Sequence, residues 1–160
     1  MKKSSFFSII LLCIAIFMFG CSDNVNSQEE EDVKKSIDLV LSYENGYDDI
    51  MKKHISEKNF YVCNYVEFYS LYLGELELKK YESEINNIEK ENGKYKVYMI
   101  LNIEAKSLET HGEEGLSDEA IGENIPVEVI VNKKNGEFYI EGFTEYENFE
   151  KAKELNNGFK

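Results

Sequence analysis

The stretch YKVYMILNIEA, Tyr95–Ala105, decides the fold. Tyr95, Val97, Met99, Leu101, Ile103 and Ala105 recur at a period of two, with Lys96, Asn102, Glu104 and Lys106 on the opposite side. Strict alternation of this length is the signature of a β-strand with one buried face. Immediately upstream, Glu91-Asn92-Gly93-Lys94 holds an Asn-Gly pair, the residues that a two-residue hairpin turn with positive φ requires. The strand therefore pairs with whatever precedes that turn. From Glu75 on, Leu76 and Leu78 share one face, while Tyr81, Ser83 and Ile85 share another. The phase flips near Lys79-Lys80, as a β-bulge in a long bent strand would make it do.

Downstream the pattern repeats. Ser107 to Asn124 reads as a long acidic loop. Ile125, Val127, Val129 and Val131 then alternate inward, and a second Asn-Gly turn, Lys133-Lys134-Asn135-Gly136, returns the chain into Glu137–Phe143. The N-terminal half reads as helical. Val33, Ile37, Val40 and Leu41 form one apolar stripe in a helix expected from Asp32 to Tyr43. A second short helix is expected from Tyr47 to about Ile55. Residues 57–74 place Tyr61, Tyr65, Phe68 and Tyr72 at helical spacing, and Val62, Val66, Tyr69 and Leu73 likewise. That pattern reads as a helix buried on most sides and closed by Gly74, with strands as the alternative because of its β-branched and aromatic content. A helical turn or two is expected at Phe149–Leu155, with the last residues fraying. Helices followed by an antiparallel meander of about four strands imply an α+β domain, the helices packed on one face of the sheet.

The first thirty residues carry a different message. Lys2 and Lys3 precede an apolar run, Phe6 to Phe19, that is shorter than the roughly 20 residues needed to span a bilayer. The sequence Met18-Phe19-Gly20-Cys21 resembles a lipobox, with Gly20 as the small residue before the cysteine and Phe19 as a departure from the pattern. The resemblance implies a signal peptide over 1–20, cleavage between Gly20 and Cys21, and a diacylglyceryl group on the Cys21 thiol. Residues 21–31 then read as the lipidated cysteine and a polar tether, and 32–160 as a single domain. Lipidation would put the domain on the extracytoplasmic face of the cell membrane.

The chain has 18 basic and 31 acidic side chains, and every basic one is Lys. Loss of residues 1–20 removes Lys2 and Lys3 and no acid, leaving a net charge of −15. Such a surface repels phosphate backbones and anionic headgroups alike, which disfavours nucleic-acid binding and assigns membrane attachment to the lipid.

The order of elements resembles the NTF2-like fold, in which N-terminal helices cover a curved sheet that closes into a cone. The stretches that carry the resemblance are Ile88–Ala105 and Ile125–Phe143; cystatin-like sheets are the alternative. The family includes isomerases, dehydratases, ligand carriers and assembly modules, so the fold alone selects no activity. Its enzymes place a carboxylate inside the cone, whereas the inward positions Val97, Met99, Leu101, Ile103, Val127 and Val129 are apolar. Tyr81, Tyr95 and Tyr98 are the candidates to line a pocket. Cys63 lies among aromatics and reads as a small buried hydrophobe. His54 reads as a surface or edge residue beside Lys52, Lys53 and Lys58, and His111 lies in the acidic loop with Glu109, Glu113, Glu114 and Asp118, which reads as solvated rather than metal-binding. No cofactor or metal is expected.

These readings imply a membrane-anchored binding module, without catalysis, for a small apolar ligand or an envelope protein. The alternatives are an NTF2-like enzyme of isomerase or hydratase type, and a scaffold in a conjugation, sporulation or phage-exclusion apparatus.

Overall fold

The computed structural model describes residues 25–108 and 119–160. The lipobox with Gly20 and Cys21 lies outside these residues, as does the His111 cluster. The domain is α+β: among the described residues four α-helices accompany a curved, unclosed sheet of four antiparallel strands in the order β1-β2-β3-β4.

Helix α1 spans Ser27–Leu41 and buries Val33, Ile37, Val40 and Leu41, the stripe read from the sequence. It starts five residues before the expected Asp32. Asn26 accepts a hydrogen bond from Glu29 N at 2.9 Å, and Glu29 and Glu30 occupy the first turn, where carboxylates favour the positive helix end. Residues 27–31 of the stretch read as tether are therefore helical.

The helix expected at Tyr47–Ile55 shrinks to a 3₁₀ turn, Met51–Lys53, entered through Asp48, whose side chain accepts from Ile50 N and Met51 N. It cannot continue, because the sheet takes the next residues. Ile55 forms a parallel bridge with Ile140, and Ile140 N donates to His54 O at 2.7 Å.

Residues 57–74 are helical but divided, into α2 (Glu57–Cys63) and α3 (Tyr65–Leu73). Asn64, fully buried, makes the break: its backbone is extended, with φ −85° and ψ 106°. Its Oδ1 accepts from Glu67 N at 3.0 Å, capping α3, while its Nδ2 donates to Val40 O and Tyr43 O at 2.8 Å each. One side chain thus starts α3 and ties it to the end of α1. Burial on most sides does not hold. Val66 is the buried residue of α3, whereas Leu71 and Tyr72 are 69% and 72% exposed.

β1 (Leu76–Glu91) and β2 (Lys94–Ser107) form the first hairpin, with Asn92 and Gly93 at φ 53° and 77°. The register slips between Leu78 and Lys80, where the sequence phase flips, and again between Ile85 and Asn87. β3 (Glu119–Lys134) and β4 (Glu137–Glu145) form the second hairpin around Asn135-Gly136. β3 begins six residues before the expected Ile125, so the end of the supposed acidic loop is strand. A register shift between Leu101 and Ile103, with Asn124 at φ 52°, breaks the alternation there and hides the strand from a period-two reading.

The three N-terminal helices cover one face of the sheet, and the C-terminal helix packs on the other. Tyr95, Val97, Met99 and Leu101 of β2 and Val127, Val129 and Val131 of β3 pack on the first face against α1 and against Phe60 and Cys63 of α2. Each fully buried aliphatic contributes about 1.5–3 kcal/mol. The C-terminus does not fray. After α4 (Phe149–Leu155), Phe159 packs on the opposite sheet face, its ring 5.2 Å from that of Tyr98 and 5.3 Å from that of Tyr146. A Cβ at Gly158 would lie 1.9 Å from Tyr98 Cζ, so this docking requires glycine.

Candidate functional site

The three tyrosines expected to share a pocket do not meet. Tyr95 and Tyr98 are three residues apart on one strand and face opposite sides of the sheet. Tyr95 lies in the helix-covered core, and Tyr98 lies under Phe159. Tyr81 pairs with Ile103 and so sits eight residues along β2 from Tyr95, roughly 26 Å at strand rise. Each has a structural partner. The Tyr81 hydroxyl donates to Asp38 at 2.8 Å, beside a 2.6 Å hydrogen bond from Ser83 and a 2.6 Å ion pair from Lys34. The Tyr95 hydroxyl donates to Glu29, whose carboxylate also takes Lys90 at 2.8 Å. Burial raises the pKa of all three phenols, keeping them protonated donors.

The other sequence candidates are also structural. Cys63 is fully buried, and burial pushes its thiol up to about 12, the reverse of what a nucleophile needs. His54 is half-buried at the edge of β4: its Nδ1 lies 3.1 Å from the Phe138 carbonyl, which ties the 3₁₀ turn to that strand. Among the described residues, no group of three His, Cys, Asp or Glu side chains is placed to hold a metal ion, and no helix is long and apolar enough to cross a membrane.

A concave site does exist, at the end of the sheet away from both Asn-Gly turns. β4 stops at Glu145, opposite Val127, and the chain leaves through Tyr146, whose N–H donates to Pro126 O at 2.9 Å. Beyond that point β3 has no strand on its outer side among the described residues, and a cleft of about 240 Å³ separates it from α3. Ile103 and Ala105 of β2, with Ala120 and Ile125 of β3, form its apolar floor. Tyr65 and Tyr69 form the α3 wall, while Glu123 and Glu145, both exposed, stand at the rim. A second hollow of about 410 Å³ shares Tyr69, Ala120 and Ile121 and continues the groove past Tyr72 and Leu73. The Tyr65 hydroxyl donates to the Glu145 carboxylate. Burial, and then that carboxylate, drives the Tyr65 phenol far above its ordinary value, so it remains a neutral donor.

The sequence placed Tyr65 and Tyr69 on a helix, in separate stripes, but did not mark them as a site. The β3 side was hidden, because residues 119–124 read as loop. No protein-family model, no curated protein and no solved structure matches this chain.

Proposed function

We propose that this protein is a lipoprotein, anchored through Cys21 to the extracytoplasmic face of the cell membrane, whose domain binds a small apolar ligand or an envelope protein in the α3–β3 cleft without chemistry of its own. The observation that carries the reading is the placement of the cleft. The chain enters the domain at Asn26, and the first turn of α1 is fastened by Glu29 to Lys90 and Tyr95, beside the Asn92-Gly93 turn. The cleft opens at the other end of β2, at Ile103 and Ala105. A lipid at Cys21 would therefore hold the hairpin end near the membrane and turn the cleft away from it, toward soluble or envelope partners.

An enzyme of the NTF2-like family would need a carboxylate enclosed at the site, where desolvation could raise its pKa toward neutrality. The two cleft carboxylates, Glu123 and Glu145, are exposed, and Glu145 is already engaged by Tyr65. The arrangement suits recognition: an apolar floor that supplies binding free energy and a few polar groups that orient the occupant.

Two measurements test the proposal. Cys21→Ala should abolish incorporation of labelled palmitate and move the folded domain out of the membrane fraction; unchanged labelling refutes the anchor. The amine 1-naphthylmethylamine, an apolar body with a cationic head, should quench tyrosine fluorescence of the full chain and bind less well to Glu145→Gln. Equal binding to both refutes the cleft as the site.

A further inference from the structure

The sheet leaves three stretches of strand edge open to pairing, and they are treated differently. The outer edge of β1 carries two register shifts and the charged run Lys79, Lys80, Glu82 and Glu84, and Glu44 caps Leu78 N at 2.8 Å. The outer edge of β4 is covered by the Ile55 bridge and by Asn59, whose side-chain amide donates to Glu141 O at 3.1 Å. These are the devices by which native sheets prevent uncontrolled strand pairing. The outer edge of β3 carries a bulge at Glu123-Asn124, but its Ala120–Gly122 stretch has no cover among the described residues. β4 reaches only as far as Val127, and the stretch Ala120-Ile121-Gly122 bears no charge and no proline. Ile121 is 62% exposed at this edge. Because backbone groups in a strand point alternately to either side, about half of those in this stretch face away from β2 into the groove.

We infer that the free edge of β3 at Ala120–Asn124 accepts an extended peptide as a fifth strand, one that alternates apolar with basic residues. This rests on the cleft-binding reading and specifies the partner. The groove fits a strand rather than a compact ligand because its two hollows run in series along Ala120 and Ile121. In a strand paired there, alternate side chains point into the cleft, against Tyr69 and Ala120, and the intervening ones lie on the other face beside Ile121 and Glu123. Apolar residues suit the first set. Basic residues suit the second, where Glu104 and Glu123 outnumber Lys80 in the hollow beside Ile121, and Glu145 at the β4 end attracts the same charge. Main-chain hydrogen bonds supply affinity in this mode and the alternating pockets supply selectivity.

The test uses the full chain in detergent and the fluorescent peptide acetyl-KVKVKVK-amide, with three controls: the same peptide N-methylated on either of its two edges, and acetyl-EVEVEVE-amide. Binding by anisotropy should be lost at least about tenfold for one N-methylated isomer and retained for the other, since only one edge meets β3. The acidic peptide should not bind. Hydrogen exchange should show new protection at Ala120–Asn124, and Ile121→Lys, a change at an exposed position, should weaken binding while leaving thermal unfolding unchanged. Equal binding of the two isomers, protection elsewhere, or self-association of the chain through this edge would each overturn strand addition. If 1-naphthylmethylamine still binds in a Glu145-dependent way while the peptides fail, strand addition alone falls; if both fail, the cleft reading falls with it.

Discussion

The two ends of this sheet are built by opposite rules. At the hairpin end both turns are Asn-Gly pairs with positive φ, α1 lies across the core face, and Glu29, Lys90 and Tyr95 satisfy one another. Lysines cluster there, at Lys90, Lys94, Lys96, Lys133 and Lys134, in a chain that is otherwise strongly acidic. At the cleft end β4 stops short, β3 runs on beside β2 with no described strand on its outer side, and α3 leaves Leu71 and Tyr72 in solvent. The first end is finished, and the second keeps apolar surface and an unpaired edge exposed. A sheet that can complete one end by local turn chemistry and leaves the other incomplete has located its stability and its recognition in different places.

The sharpest way to break this contrast is to shorten one apolar side chain on each side of it. Ile37→Ala, at a fully buried position on α1, should cost about 2–5 kcal/mol in chemical denaturation, because the core cannot collapse around the missing atoms. Asn64→Ala tests the joint between the two regions. It would remove the α3 cap and strand the Val40 and Tyr43 carbonyls, at a cost of about 2–3 kcal/mol, with α3 amides exchanging faster than those of α1.

At the hairpin end, acidification probes Glu29 through a comparison of the parent chain with a Glu29 variant. The Lys90 ammonium, and then the Tyr95 hydroxyl, hold Glu29 below its ordinary value of 4.5. The folded-state value is the lower one, so this contact contributes fully above 4.5 and its contribution disappears as the pH falls through the folded value. Glu29→Gln should therefore lower the urea midpoint at neutral pH and converge with the parent chain in acid; coincident curves at every pH would show that the pair does not matter to stability. The smallest effect belongs to the cleft end. Leu71→Ala, 69% exposed, should change stability by less than about 0.5 kcal/mol. A large loss there would mean that α3 is packed in solution and that the two ends are alike.

Where the sequence reading succeeded, the information was local. The Tyr95–Ala105 alternation, both Asn-Gly turns, the bulge near Lys79, the α1 stripe and the Phe149–Leu155 helix each arise from propensities and periods within a few residues. Its failures share a cause. The Tyr47–Ile55 helix yielded to a bridge with Ile140, a partner 85 positions away, and the tail was held by Tyr98 on a face that no nearby residue announces. The start of β3 was hidden because the bulge at Asn124 breaks the period on which strand recognition depends.

By itself, then, the sequence determined an α+β domain of four antiparallel strands with an apolar face, a buried unreactive Cys63 and a strongly acidic composition, since periodicity and charge are properties of neighbours along the chain. Only the tertiary structure decided that Tyr81, Tyr95 and Tyr98 are structural residues that share no pocket, and that Tyr65, Glu145 and the edge of β3 enclose a cleft. That second outcome depends on where β4 stops relative to β3, a difference in strand length with no local signature in either segment.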